Sequence, residues 1–257
     1  MSSEPSTSSN VTTYEKRAVA FLDILGFTDL IKEQGHESEI LAVFEHLRFR
    51  ASQVERASKT GGMQFTAFSD CIVLSAELRD GFGAFRMAAY VGYLVLDLLA
   101  RGFLVRGGLT VGDLYHKNGM VFGPAMIDAY ALESKNAIYP RIAVLDAFRD
   151  EACKGAVAMS NGDAAHARVQ GEYLQYRRDF DGVLHLDVFN PLIPSPESLI
   201  KAVNGQLITR DDKGRAVIDA VRKTRALRYK PGVAQKYDWM ENYLQDCITR
   251  FNWQHLL

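Results

Sequence analysis

The sequence predicts an α+β domain built on a ferredoxin-like split βαβ pattern, βαββαβ, with additional strands and a C-terminal helical extension. Three observations lead there. The stretch at residues 19–30 opens with an apolar run that carries a single acid, Asp23, and breaks at Gly26, as a buried strand entering a turn does. The run at 65–75 repeats that character around Ser69-Asp70 and reads as a hairpin. Between this hairpin and a glycine-bearing strand at 103–114 lies a periodic helix at 81–101, completing the second βαβ half.

The elements follow in order. Residues 1–15 are Ser/Thr-rich, lack an apolar secretory core and are expected to form a disordered tail. After the first strand come a short helix at 27–34 and a longer one at 37–59. In the longer helix Ile40, Val43, Phe44, Leu47 and Val54 keep one face apolar. The hairpin arms are 63–69 and 71–76. In the helix at 81–101, Met87, Tyr90, Val91, Leu94, Val95 and Leu98 recur at helical spacing until Gly102 stops it. The strand at 103–114 alternates, and its glycines Gly107, Gly108 and Gly112 admit a close backbone or ligand. A Lys117-Asn118-Gly119 turn leads to a strand at 120–122, and Gly123-Pro124 opens a helix at 125–136. A strand at 141–146 follows. Beyond about residue 150 the reading is a hairpin with arms 173–178 and 183–189, then helices at 195–209, 215–229 and 233–253.

The whole chain sets limits. Its 257 residues, 47% hydrophobic and 24% charged, have the composition of an ordinary globular protein. A formal charge of -1 gives no general attraction to nucleic acid or an anionic membrane. No apolar run approaches the roughly 20 residues that cross a bilayer. Cys71, Cys153 and Cys247 are scattered and odd in number, which points to buried free thiols in a reducing, cytoplasmic setting. Residues 210–230 hold eight basic side chains against three acidic ones, the pattern of a solvated helix face with no stacking motif for nucleic acid.

Asp23 and Asp70 carry the chemistry. Burying an unpaired carboxylate costs several kcal/mol, so Asp23 is either paired, capped or bound to a cation. Asp70 either caps its turn or presents its carboxylate outward. Two acids at adjacent strand ends suit a hard, oxygen-seeking cation such as Mg²⁺.

The segments Phe21-Leu-Asp-Ile-Leu-Gly-Phe-Thr28, Phe68-Ser-Asp-Cys71 and Val105-Arg-Gly-Gly-Leu-Thr-Val-Gly112 resemble the motifs of class III nucleotidyl cyclases over residues 17–146. The resemblance implies a cyclase catalytic domain at 16–190, with 191–257 as a helical extension packed on it. It also implies that Asp23 and Asp70, with the Ile24 carbonyl, hold two Mn²⁺ or Mg²⁺ ions. Arg106 then holds triphosphate oxygens, and Gly26 and Phe27 shape the loop over them. In that family the site forms across a homodimer.

Departures refine the expectation. Thr66 and Met120 stand where purine cyclases read adenine, and Ile127 and Ala131 stand where the family places its transition-state Asn and Arg. Asp128, Tyr130 and Glu133 are candidate substitutes, and Arg48, Arg50 and Tyr90 are candidates to read the base. Acids kept and purine readers lost is a pattern similar to the pyrimidine cyclases of the bacterial Pycsar antiphage system. That likeness implies UTP, or CTP, as substrate and a cyclic nucleotide product acting on a separate effector. No nucleic-acid or membrane partner is expected. The alternative is a cyclase-like domain that binds a nucleotide as a sensor without turnover.

Overall fold

The computed structural model describes residues 14–32, 37–57, 63–79, 81–159, 176–191, 209–224 and 233–257. Residues 1–13 of the tail expected at 1–15, and most of the helix expected at 195–209, lie outside them, while Glu15 opens a strand. In chain order the elements are β1 (Glu15–Leu25), α1 (Phe27–Lys32), α2 (Glu37–Ala57), β2 (Gln64–Phe68), β3 (Cys71–Glu77), α3 (Phe82–Ala100), β4 (Leu104–Lys117) and β5 (Met120–Phe122). Then follow α4 (Pro124–Asn136), β6 (Ile142–Val144), α5 (Asp146–Met159), β7 (Tyr176–Arg178), β8 (Leu184–Leu186), α6 (Arg210–Thr224) and α7 (Ala234–Arg250).

The eight strands form one sheet in the order β2-β3-β1-β4-β6-β8-β7, with β5 on β4. Its first four strands are antiparallel neighbours, the order that two interleaved βαβ units produce. β6 adds parallel to β4, and the β7–β8 hairpin extends that edge.

Strand alternation splits β1 between two cores. Ala18, Ala20, Leu22 and Ile24 join the larger core with residues of α2, α3, α5, α6 and α7. Val19 and Phe21 face the other way, against Ala125 and Ala129 of α4. The mostly apolar α3, with Arg86 and Asp97 as its charged residues, thus lies deep inside. Among the described residues it is the one helix long and apolar enough to cross a membrane, with 83% of its apolar window buried in the fold.

Several expectations need correction. The helix α5 was not expected: its buried stripe is Phe148, Ala152, Gly155 and Ala156, with one large side chain, too small to announce itself. The helix expected at 215–229 starts at Arg210 instead, because Thr209 caps it: the Asp212 N–H donates to Thr209 Oγ1 at 3.1 Å while Thr209 N–H donates back to Asp212. Of the three free cysteines, Cys247 is buried, but Cys71 is half-buried and Cys153 exposed.

Candidate functional site

The strand register sets the site. Phe68 pairs with Cys71, Cys71 with Asp23, and Asp23 with Arg106, so four side chains form one row across β2, β3, β1 and β4. They share the sheet face that carries α4. The tight Ser69-Asp70 turn, with Ser69 at a φ of 55°, lies at the end of this row. It is tied down because the Ile24 N–H donates to the Asp70 carbonyl at 3.0 Å. Oxygens of Asp23 and Asp70 and the Cys71 sulfur consequently lie within 4.8 Å of one another.

Arg106 supplies the counter-charge. Its Nε–H donates to Asp23 Oδ2 at 2.8 Å. Glu133 Oε1 lies 2.7 Å from the same nitrogen, yet it has no hydrogen bond, since the single N–H is already aimed at Asp23. Glu133 reaches this place because α4 lies directly on β4. A Cβ on Gly108 would fall 2.9 Å from the Leu132 Cβ and closer still to the Ala129 carbonyl oxygen. Only glycine permits that approach.

The electrostatics are lopsided. Three carboxylates, Asp23, Asp70 and Glu133, surround one guanidinium. Burial pushes the Glu133 carboxyl up from its ordinary value; Arg106 opposes this and the two aspartates add to it. The Cys71 thiol is pushed up to about 12, first by burial and then by Asp70, Asp23 and Glu133. Lys236, from the first turn of α7, is also within the field: burial and the Arg106 charge push its ammonium down while Asp23 pulls it up. An excess of oxygen ligands with like charge at close range favours a bound cation or a shared proton. Hard carboxylate donors fit Mg²⁺ or Mn²⁺, and the thiol, held protonated, is a poor ligand.

The sequence-selected residues distribute unevenly. Asp23, Asp70 and Arg106 come together, with Gly26 (φ 80°) turning the chain just beyond Ile24. The side chains of Ile24 and Phe27 point into the larger core, Phe27 edge-on to Phe44 at 5.8 Å. Glu133 joins the cluster, whereas Asp128 and Tyr130 are exposed, Tyr130 lying edge-on to Phe21. Tyr90 is buried in the core on the opposite sheet face, so it does not share the face of the acids. Arg48 belongs to α2, which packs on that opposite face, and the side chain of Arg50 is outside the described residues. Cys71 and Lys236 were not anticipated. Glu133, one of the three candidate substitutes on that helix, continues an i, i+4, i+8 stripe with Ala125 and Ala129, in which the two small residues signal close packing.

A buried polar chain occupies the same sheet face beyond the row. Arg17 Nε donates to Ser75 Oγ at 2.9 Å, Ser75 Oγ meets His116 Nδ1 at 2.9 Å, and His116 Nε2 meets Thr66 Oγ1 at 2.9 Å. Ser75 is fully buried, so its hydroxyl must donate to Nδ1 to be satisfied. Nε2 then carries the proton and donates to Thr66, whose own hydroxyl proton is free to point away. Thr66 is thereby held by its partner, while Met120 is exposed on β5.

No protein-family model matches the chain, and no curated protein matches it. Solved structures do. One, a bacterial light-regulated adenylyl cyclase, is 18% identical with a TM-score of 0.39; the alignment covers 53% of this chain and 45% of that one. The adenylyl cyclase CyaB from P. aeruginosa is 17% identical with a TM-score of 0.40, over 67% of this chain and 92% of that one. A class III adenylyl cyclase-like ATP-binding protein from Pseudomonas aeruginosa is 13% identical with a TM-score of 0.37, over 84% of this chain and 60% of that one. This chain thus spans less than half the length of the light-regulated enzyme it matches. At these scores the chemistry rests on the chain's own residues.

Proposed function

We propose that the protein is a pyrimidine nucleotide cyclase, converting UTP, or CTP, to the 3′,5′-cyclic monophosphate and pyrophosphate. One observation carries the reading: Asp23 and Asp70 lie within 4.8 Å of each other at a strand row that also holds Arg106. In the reaction the ribose 3′-oxygen bonds to the α-phosphorus, the α–β bridging P–O bond breaks, and the hydroxyl proton passes to solvent. Asp23, Asp70 and the Ile24 carbonyl would hold Mg²⁺ or Mn²⁺, two ions per site. When bound, such ions acidify the attacking hydroxyl and neutralise the leaving pyrophosphate.

The protein's own contribution is placement. The Arg106 guanidinium stands beside the carboxylates, where it would hold triphosphate oxygens, and the buried Glu133 carboxylate borders it. Gly26 opens the chain at the start of α1, with nothing within 4 Å of a Cβ placed there, and Phe27 anchors that turn to the core. Thr66 and Met120 supply neither the Lys nor the Asp of a purine reader, which supports a pyrimidine base. Phe68, in the row of the acids, and Ile127 and Tyr130 of α4, at 81%, 69% and 54% exposed, give this sheet face apolar surface that suits a second copy of the chain, a homodimer with the site at its interface. The cyclic product would act in the cytoplasm on a separate effector, in antiphage defence.

Asp23→Ala tests the reading. Turnover falls to background while circular dichroism stays that of the wild type; activity near wild type in the variant would refute the ligand assignment. A second reading is a nucleotide sensor without turnover. The apolar Ile127 and Ala131, in place of the transition-state Asn and Arg, favour it. Calorimetry showing nucleotide binding with no product would establish it.

A further inference from the structure

A second cleft, of about 250 Å³, opens between the β7–β8 hairpin and α7, on the strands at the far edge of the sheet from β2. It shares no residue with the acidic row. Its floor is aromatic: His185, from β8, lies edge-on to both Trp239 and Tyr243, with ring centroids 5.9 and 5.7 Å away. Phe180, 77% exposed, also lines it; its ring is tilted against Tyr139 at 5.7 Å and its remaining surface is open to a stacking partner.

The polar groups in the cleft are oriented. His185 is 3% exposed, and its Nδ1 lies 3.2 Å from the Leu186 carbonyl oxygen, which only accepts. Nδ1 therefore carries the proton, and Nε2 is an acceptor with no partner among the described residues. Burial lowers the imidazole pKa, which keeps that lone pair free. Asp179, also lining the cleft, is fixed at Oδ2 by Trp239 Nε1 at 2.7 Å and by the buried Arg141, and at Oδ1 by the Phe180 N–H at 2.8 Å. Acceptors thus converge on an aromatic floor.

Charge and size narrow the occupant. Two guanidiniums and two carboxylates line the cleft, so it is neutral. Arg177 is already paired with Asp246 at 2.6 Å and Arg178 with Asp146 at 3.1 Å, so each guanidinium lining the cleft has a carboxylate partner among the described residues. The volume lies just below the roughly 300–1,000 Å³ of sites for drug-sized ligands, which suits one ring system.

We propose that this cleft binds a neutral, planar nitrogen heterocycle of nucleobase class, its ring N–H or amine donating to His185 Nε2 and its face against Phe180. The site is independent of the triphosphate reading, since it needs neither metal nor phosphate.

The experiment is a titration of the full chain with uridine, cytidine, adenosine and guanosine, none of which carries a phosphate. Intrinsic fluorescence is the readout, because one of the two tryptophans, Trp239, lines the cleft. At least one nucleoside should give a saturable change. His185→Phe keeps the ring and removes the acceptor, and Asn242→Phe fills the mouth from an exposed position. Each should weaken binding by about tenfold or more, a loss of about 1.4 kcal/mol, while Asp23→Ala leaves it unchanged. No saturable change with any of the four, a response that either cleft variant leaves intact, or one that Asp23→Ala abolishes would overturn the proposal.

Discussion

Replacing His116 by Gln tests the buried polar chain beside the site. Burial, then the neighbouring Arg17 charge, push His116 from 6.5 down to about 4. The folded state keeps this imidazole neutral, while the unfolded chain takes up a proton below pH 6.5. Its contribution to stability is therefore whole above pH 6.5 and is lost as the pH falls toward 4. At about 1.4 kcal/mol per pH unit, the loss between pH 7 and pH 5 is about 2 kcal/mol. His116→Gln preserves an amide donor and acceptor for Ser75 and Thr66 but does not titrate. Urea unfolding at the two pH values gives the comparison. The variant is less stable than wild type at pH 7, because its amide fits the two hydroxyls less well. Between pH 7 and 5, however, wild type should lose about 2 kcal/mol more than the variant. Equal losses would mean that the imidazole charges freely in the folded protein, and the chain from Arg17 to Thr66 would not be the dry network described.

Two further outcomes follow from the packing and the field of the site. Gly108→Ala should cost about 1–3 kcal/mol in thermal or chemical unfolding, since α4 must move off β4. Gly112→Ala should cost less, because its Cβ would meet only the Ala125 Cβ, at 3.2 Å. Equal costs would contradict the close seating of α4 at Gly108. Cys71, with its thiol pushed up to about 12, should hold about a thousandfold less thiolate at neutral pH than an unperturbed thiol and alkylate more slowly, a higher-pKa thiolate being partly compensated by its greater nucleophilicity. Asp70→Asn should speed that reaction by removing a neighbouring negative charge, as peptide mapping by mass spectrometry would record; an unchanged rate would separate the thiol from the acids.

The four-strand core was legible because its signals are local. Glycines and turns punctuate each strand, and single acids in apolar runs mark Asp23 and Asp70. The helix α5 was not, since a stripe of one phenylalanine, two alanines and a glycine lacks the apolar weight that periodicity needs. The start of α6 was in fact written in the sequence as Thr209-x-x-Asp212, a capping pattern concealed by a charged first turn. In the site, the Asp23–Arg106 pairing depends on the β1–β4 register and Glu133 on how α4 seats over Gly108. Lys236 arrives from α7, more than a hundred residues along the chain from either. Such proximity is a tertiary result, and residue type at one position does not encode it.

The central claim is pyrimidine cyclisation at the Asp23–Asp70 row. The most direct measurement incubates the purified protein with each of the four nucleoside triphosphates and Mn²⁺, followed by mass spectrometry for cyclic mononucleotides. The account predicts a single cyclic pyrimidine product, absent from Asp70→Ala. A cyclic purine as the main product would contradict the base assignment. No product from any of the four, with the protein folded and dimeric, would contradict cyclisation itself.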